Sequence, residues 1–176
     1  MQVYTSCHWP RLTAVNYRYF EEIHPAFPIL DEPSFRELYK KNIEQLSPTL
    51  LCDFFALSLT LWDHSPVLRQ HPQPDPQFIW NLAVEALQHD FVAPGLSTVS
   101  AVLLDLTGRP VSSVLGNTLN NARAVALAQT LGLHRNPSGW KRPDSEKSLR
   151  IRLWWAVLIH DRWYVFSNGC TSIGHC

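Results

Sequence analysis

The chain contains few cysteines, and they follow no regular pattern. The four are Cys7, Cys52, Cys170 and Cys176. Cys52 lies in an apolar segment, where a thiol behaves as a small hydrophobic side chain, so the sequence predicts no disulfide framework. Cys170, His175 and Cys176 are candidate zinc ligands, but a C-x5-C spacing with one histidine is a weak zinc signal. We therefore predict no metal site in this chain.

Net charge and long apolar runs are also missing. The 15 basic and 15 acidic residues give a formal net charge of zero. Nucleic-acid-binding domains usually carry excess positive charge, so this chain alone is expected to bind DNA poorly. Apolar stretches such as 54–62 are far shorter than the ~18 residues of a membrane span, and the N-terminus has no basic leader followed by an apolar run. We expect a soluble, intracellular chain with no membrane partner.

Motifs of the common enzyme chemistries are missing too. We find no G-x-S-x-G, G-x-G-x-x-G, phosphate loop, H-E-x-x-H or paired acidic metal motif. The sequence therefore predicts that the chain is not an enzyme and has no catalytic or cofactor-binding residue. The alternative is a small all-α enzyme using His24, His160 or Asp161, although the spacing supplies no second activated group. For His24, a helix-end histidine bonded to backbone is the simpler interpretation.

Helical periodicity is what the sequence does contain. Apolar residues recur every three or four positions over long segments, separated by short stretches rich in proline or glycine. No strand pattern of comparable strength is present. With 176 residues, 45% of them hydrophobic, the chain can bury one substantial core. We predict an all-α domain of about seven packed helices joined by short Pro/Gly loops.

Capping residues indicate where these helices begin. The predicted starts are Ser47 with Pro48, Asp75 with Pro76, the capping box of Ser34 and Glu37, Ser97, and Asp144 or Ser145. An opening helix is predicted over 13–24 and is stopped by Pro25. After it, prolines hold the backbone extended, so that Phe27, Ile29 and Leu30 can fill the core from a loop.

The segment 126–162 indicates two helices joined by a tight break. Gly132 follows a helix rich in alanine and leucine and is predicted to end it in a left-handed conformation, with Leu133 folding back on the last turn. One face of that helix is predicted to point to the core, and its residues are Leu115, Leu119, Ala122 and Ala126.

The next helix has apolar side chains on all sides between residues 149 and 166, which predicts a central helix that is buried on most sides. In that setting an ionised Asp161 would need a cationic partner, and we predict an ion pair with Arg123, Arg135 or Arg150. Basic residues between 135 and 162 are interleaved with acidic ones. This favours a paired or solvated surface over a phosphate-binding stripe.

Four motifs in register resemble a known family. They are Y-F-E-E-I-H-P-A-F-P-I-L-D-E-P-S-F at 19–35, L-S-T-V-S-A-V-L-L at 96–104, A-L-A-Q-T-L-G-L-H-R-N at 126–136, and R-I-R-L-W-W at 150–155 with D-R at 161–162. In that order they resemble the regulatory middle homology region of fungal zinc binuclear cluster transcription factors, including the xylanolytic-activator type. The resemblance covers 15–169, which we predict to be one domain between an N-terminal tail, 1–14, and a C-terminal tail, 170–176.

The resemblance implies a helical domain that regulates transcription of RNA polymerase II genes in a fungal nucleus. Such a domain would restrain or permit activation in response to a small-molecule inducer or to a partner, either the transcription machinery or a co-regulator protein. We expect a structural or regulatory role for Gly132, His134, Arg150, Trp154, Trp155 and Asp161. The alternative is a passive helical interaction module that binds partners without an inducer.

The chain departs from the family pattern in two respects. The family's zinc cluster, which reads DNA through regularly spaced cysteines, has no counterpart here, so zinc and DNA contact are expected only in an upstream cluster outside this chain. The family's Gly-Arg-Pro appears as Gly169-Cys170-Thr171, and the chain ends where the family's domain continues. We therefore expect an incomplete domain with an exposed apolar face near Trp163 to Phe166.

Overall fold

The computed structural model describes residues 18–109 and 114–168, and all regular secondary structure in these ranges is helical. A π-helical turn, Tyr19–Ile23, precedes six α-helices. These are α1 Glu32–Lys41, α2 Pro48–Leu59, α3 Pro76–Asp90, α4 Leu96–Gly108, α5 Val114–Thr130 and α6 Asp144–Asn168. Three short 3-10 turns lie in the connections, at Ile43–Gln45, Trp62–His64 and Leu68–Gln70. These ranges contain no strand, so the prediction of an all-α fold with about seven helices is confirmed for them.

None of the helices within these ranges is long and apolar enough to cross a lipid bilayer. The predicted beginning of the first helix, near residue 13, lies outside the described residues. So do the candidate zinc ligands Cys170, His175 and Cys176.

Two predicted helix starts are confirmed by their hydrogen bonds. The Ser47 hydroxyl accepts from the backbone N–H of Leu50 at 3.3 Å, and the Asp75 carboxylate accepts from that of Gln77 at 2.9 Å. Each capping residue is followed by a proline at the first helical position, where no N–H donor is required. The predicted start of α6 at Asp144 is also confirmed, with Glu146 in its first turn.

Two other predicted starts are wrong because an earlier residue takes the capping role. Asp31, rather than Ser34, caps α1, and its Oδ2 accepts from both the backbone N–H and the hydroxyl of Ser34 at 3.2 and 2.6 Å. Ser97 lies inside α4, which begins at Leu96. Gly95 is the N-cap residue of α4, and its backbone N–H donates to the Thr98 hydroxyl at 2.9 Å.

Helix α4 is the centre of the fold. Every residue from Thr98 to Leu106 is buried. Helices α2, α3, α5 and α6 all pack against it. The prediction that the aromatic helix, α6, is central and buried on most sides is therefore wrong. Helix α6 covers α4 with one face only and presents Trp155, Ile159 and Trp163 outward.

Helix α5 turns a different face to the core from the predicted one. Leu115 and Leu119 are 85% and 52% exposed, whereas the buried face carries asparagine and small residues, namely Asn117, Asn120, Asn121, Ala124, Val125 and Ala128. The physical reason is a buried carboxylate on α4. The Asn120 amide donates to Asp105 Oδ2 at 3.1 Å, and the alanines allow the two helices to approach closely.

A buried polar layer joins α2, α4 and the residue that follows α4. Arg109 holds Asp105 with two charge-assisted bonds, Nε to Oδ1 and Nη2 to Oδ2, both 2.7 Å. Asp53 of α2 is also fully buried, and neither of its carboxylate oxygens has a hydrogen-bond partner among the described residues. Burial and the nearby Asp105 charge raise the pKa of Asp53 well above its usual range, against the opposing effect of Arg109. Burial therefore favours the protonated, neutral form of Asp53 in the folded protein.

The proline-rich corner, residues 25–31, packs as predicted. Ile29 and Leu30 are buried, and Phe27 packs at the edge of the same core. His24 Nε2 lies 2.9 Å from the Leu30 carbonyl oxygen, which can only accept, so the ring donates. This contact favours the structural interpretation of His24. Asp31, at the end of the corner, accepts from Arg152 of α6 at 3.0 Å.

Substitution of Gly108 by alanine is expected to destabilise the fold by about 1–3 kcal/mol. A Cβ atom at Gly108 would lie 2.3 Å from Trp80 Cη2 and 3.1 Å from Leu57 Cδ1, so the indole would have to move. Gly139→Ala is the matched control, because a Cβ atom there meets nothing within 4 Å. Urea unfolding of the three proteins measures the difference, and equal midpoints for both variants would contradict the close approach of Trp80.

Asp53→Asn is expected to become more stable relative to the parent as the pH rises above about 4, by up to about 1.4 kcal/mol per pH unit. Because the pKa of Asp53 is raised on folding, the parent folds without penalty below the unfolded pKa and loses stability as the pH rises towards the folded pKa. Asparagine has a similar shape and does not titrate. Unfolding free energies at pH 4, 6 and 8 test this, and a pH-independent difference would rule it out.

Candidate functional site

The break between α5 and α6 has the geometry predicted for Gly132. Gly132 has a φ of +70°, the left-handed conformation that glycine adopts without strain. Its N–H donates to the Gln129 carbonyl, and the Leu133 N–H reaches back to the Ala128 carbonyl, both at 2.9 Å. This pair of bonds is a Schellman motif, which satisfies the last carbonyls of α5. Leu133 is buried, as the fold-back onto the last turn requires.

Arg150 ties this break to the first turns of α6. Its Nη1 donates to the Leu131 carbonyl at 3.2 Å, and its Nε donates to Glu146 Oε1 at 3.0 Å. The guanidinium also lies over the ring of Trp140, 5.2 Å from its centroid. One side chain thus joins the end of α5, the connecting loop and α6. The Arg150 hydrogen bond is the main cause that lowers the pKa of Glu146, which keeps the acid ionised.

Four of the six residues predicted to have a regulatory role lie at this end of α6. His134 and Trp154 meet edge to face, with ring centroids 6.0 Å apart, next to Gly132 and Arg150. We refer to Gly132, His134, Trp140, Arg150 and Trp154 as the Gly132 cluster. Trp140 is absent from the predicted set, although a lone tryptophan in a polar loop is a signal that it packs against something.

The other two predicted residues lie elsewhere on α6. Trp155 is 61% exposed on its outer face, and Asp161 is buried on its inner face. The predicted ion pair between Arg150 and Asp161 is wrong, because eleven residues of continuous helix separate them by about 16 Å. Arg123 donates to Gln88 at 2.9 Å. The cationic partner predicted for Asp161 stays a prediction.

His160, on the inner face of α6, has a structural environment. Burial lowers its pKa to about 4, so the ring is neutral at physiological pH. Its Nε2 lies 3.4 Å from the Thr107 hydroxyl, and its ring stacks on Phe27 with centroids 6.0 Å apart. Like His24, His160 is engaged in packing, which favours a structural role over proton transfer.

An open groove runs along the outer face of α6. The corner residues Ala26 and Phe27 form one wall, and the rest of the lining is Trp155, Leu158, Ile159, Arg162, Trp163 and Phe166. We call this feature the α6 groove. Its volume is about 700 Å³, and the Phe27 ring stacks on Trp163 at a centroid distance of 6.0 Å. The predicted exposed apolar face near Trp163 and Phe166 is confirmed, and it extends back to Trp155.

The basic residues at the start of α6 are paired. The ion pairs are Arg142 with Glu146, Lys147 with Asp144, Arg150 with Glu146, and Arg152 with Asp31. Four of the seven lysines and arginines between residues 135 and 162 are thus paired with acids, which favours the predicted paired or solvated surface over a phosphate-binding stripe. Over the described ranges, no group of three or more histidine, cysteine or acidic side chains is arranged to hold a metal ion.

Gly132→Ala is expected to lower the free energy of unfolding by about 1–2 kcal/mol, because alanine is strained at a φ of +70°. Gly132→Asn should lose less, since asparagine tolerates this conformation. Both side chains would have space, because the nearest atoms to a Cβ atom lie 3.8 Å or more away. Denaturant titration measures the free energy of unfolding of both variants. An equal loss of stability in the two would show that packing, and not backbone conformation, causes the effect.

Comparison with known proteins places the whole fold in one family. The sequence profile of the fungal specific transcription factor domain matches residues 17–175. An uncharacterized transcriptional regulatory protein of Schizosaccharomyces pombe is 36% identical over 157 residues, which are 89% of this chain and 24% of that protein. The transcriptional activator protein DAL81 of Saccharomyces cerevisiae is 38% identical over 155 residues, or 88% of this chain and 16% of that protein.

A shorter match, 41% identical over 39 residues, links 22% of the chain to 4% of cutinase transcription factor 1 beta of Fusarium vanettenii. No solved structure matches significantly. The chain spans about a quarter of the length of the Schizosaccharomyces pombe protein and about a sixth of the length of DAL81. The matched profile covers all four motifs and both ends of the α6 groove, and it confirms the resemblance: this chain belongs to the fungal specific transcription factor domain family.

Proposed function

We propose that this chain is a regulatory helical domain in the control of transcription by RNA polymerase II in a fungus, acting in the nucleus. The observation that carries the proposal is the family profile, which matches residues 17–175. The relatives that align over almost the whole chain are a transcriptional regulatory protein and a transcriptional activator.

DNA recognition would require residues other than those of this helical domain. Formal net charge is zero, and the basic residues of α6 are largely paired, so little positive charge is available for phosphate contacts. Zinc and DNA recognition would belong to a cysteine cluster of the family type outside these 176 residues. The chain itself would need no cofactor.

Regulation by such a domain requires two arrangements and a ligand that prefers one of them. We propose that the Gly132 cluster and α6 form the element that changes. Arg150 holds α5, the loop and α6 together through three separate contacts, so a small shift of α6 would break several of them at once. The ligand that binds one arrangement more tightly than the other would be a co-regulator protein, the transcription machinery or a small-molecule inducer.

The passive interaction module is the second candidate, and the α6 groove favours it. A contiguous apolar surface on a domain of this size is typical of a protein-protein contact. This candidate differs from the first in two respects. Partner binding would be independent of any inducer, and binding would leave the Gly132 cluster unchanged.

A reporter fusion tests the regulatory role. The chain is placed between a heterologous DNA-binding domain and an activation domain in yeast, and reporter output is compared with that of a fusion carrying an unrelated helical domain of equal length. We expect output to change several-fold with the family domain, because its arrangement restrains or permits activation. Equal output from both fusions under all growth conditions would contradict the proposal.

A thermal-shift screen separates the two candidates. Purified chain is heated with sugars, metabolites and candidate co-regulators, since a ligand that prefers the folded arrangement raises the melting temperature. An inducer that stabilises the chain and alters partner capture supports regulation. Partner capture that no small molecule alters supports the passive module.

A further inference from the structure

Two basic residues without an acidic partner flank one serine in the loop between α5 and α6. Ser138 lies three residues after Arg135 and three residues before Lys141. Neither basic side chain has an ion pair or a hydrogen bond to another residue in the described parts of the chain. Segment 132–143 contains three lysines and arginines and no acid. A negatively charged group on Ser138 would therefore be stabilised by its surroundings.

The Ser138 hydroxyl is accessible and is held only by a local turn. Residues 134–143 are exposed, except for the buried Pro137 and the half-buried Trp140. The hydroxyl donates to Asn136 Oδ1 at 2.7 Å, and the backbone N–H of the same serine donates to that oxygen at 3.0 Å. This is a turn closed by a side chain two residues away, and opening it requires no change in a helix.

The loop is also distant from the end of α6 at which the domain of the family continues. Segment 132–143 precedes the first turn of α6, whereas the family's further helices follow the last turn. Helix α6 has 25 residues, so its two ends are about 36 Å apart.

The spacing of Arg135 and Ser138 fits the substrates of arginine-directed serine kinases. Such a kinase binds its substrate as an extended segment and holds an arginine three residues before the serine with its own carboxylates. The loop is folded by internal bonds, since the Trp140 N–H donates to the Pro137 carbonyl and the Arg142 N–H to the Trp140 carbonyl, both at 2.9 Å. Extending the segment breaks these bonds and exposes Pro137, but leaves α5 and α6 in place.

Ser145 has the same spacing to Arg142 but a different setting. It lies in the first turn of α6 between Asp144 and Glu146. A kinase would have to unwind the helix to extend this segment, and a phosphate there would add negative charge between two acids. Arg142 is also paired with Glu146 at 3.4 Å. Charge and local structure therefore favour Ser138, and Ser145 serves as its matched control.

We propose that Ser138 is a phosphorylation site for an arginine-directed serine kinase and that Arg135 and Lys141 hold the phosphate. The kinase transfers the γ-phosphoryl group of ATP. A bond forms between Ser138 Oγ and phosphorus, the bond from phosphorus to the bridging oxygen breaks, ADP leaves, and the hydroxyl proton passes to the aspartate base of the kinase. The modified oxygen has no proton to donate, so its hydrogen bond to Asn136 is lost.

The consequence for regulation rests on the function proposed above. Arg135 and Trp140 lie beside Gly132, since Arg135 Cδ and Trp140 Cη2 are 3.8 and 3.9 Å from the position of a Cβ atom there. A phosphate on Ser138 that attracts Arg135 removes it from this surface. It also places negative charge two residues from Trp140, over which the Arg150 guanidinium lies. Phosphorylation would thus shift the Gly132 cluster between its two arrangements.

A kinase assay on the full 176-residue chain tests the site. The purified chain is incubated with ATP and the catalytic subunit of cyclic-AMP-dependent protein kinase, and tandem mass spectrometry locates the phosphate. We expect Ser138 to be the main site. Arg135→Ala should lower the initial rate about tenfold, because it removes the residue that the kinase holds. Ser145→Ala should leave the rate within about twofold of the parent.

Phosphate on Ser145 alone, or no phosphate on Ser138 while circular dichroism shows a folded chain, would overturn the proposal. A rate that Arg135→Ala leaves unchanged would overturn recognition through this arginine.

Phosphorus NMR tests where the phosphate lies. The second pKa of phosphoserine is about 6 without neighbouring charges. Because Arg135 and Lys141 favour the dianion, we expect a lower pKa for phosphorylated Ser138 in the folded chain than in the urea-unfolded chain. Lys141→Ala should raise the pKa in the folded chain. Equal values in the folded and unfolded chains would contradict the assignment of these two cations.

The yeast reporter fusion distinguishes failure of this inference from failure of the proposed function. We expect Ser138→Ala to change reporter output several-fold relative to the parent domain, and Ser145→Ala to leave it unchanged. A domain effect that Ser138→Ala does not alter would overturn the regulatory role of the phosphate. Absence of any domain effect while Ser138 is phosphorylated would contradict the proposed function and support the site.

Discussion

The fold depends on keeping one helix, α4, out of water. Its residues from Thr98 to Leu106 are buried on every side, so no single neighbour can cover it. Helices α2, α3, α5 and α6 surround it, and their positions follow from that requirement. The buried carboxylate of Asp105 adds a second condition, because it must be met by donors. Arg109 and Asn120 supply them, which explains why α5 turns its asparagines inward and its leucines outward.

Local signals in the sequence predict the helices, several of their ends and the Gly132 turn. Ser47, Asp75 and Gly132 act through hydrogen bonds to backbone within a few residues, so the information needed to recognise them is contiguous in the chain. Which face of a helix points inward depends on distant partners. Leu115 and Leu119 suggest the wrong face of α5 because the hydrogen bond between Asn120 and Asp105 joins two helices and has no sequence signature. The motifs also predict the family, since four of them occur in order.

The candidate site also depends on contacts between distant residues, which the sequence does not reveal. Gly132 and Arg150 are recognisable as a helix stop and a basic residue near a break, but their link through Leu131 and Trp140 requires the packed helices. Apolar side chains occur on all sides of α6 between residues 149 and 166, so their pattern alone does not reveal that α6 is an outer helix. Helix α6 contains arginines and a lysine between its apolar residues, and these identify it as the outer helix once the surrounding helices are seen.

The contact between the proline-rich corner and α6 joins opposite ends of the described chain. Asp31 and Arg152 are 121 residues apart in sequence, and Phe27 reaches even further along α6 to stack on Trp163. Bringing such distant residues together has an entropic cost that grows with the length of the loop between them. During synthesis on the ribosome, the corner is among the first of these segments to emerge, and its partner helix is the last. The wall of the α6 groove is therefore completed only after almost the whole described chain has been made.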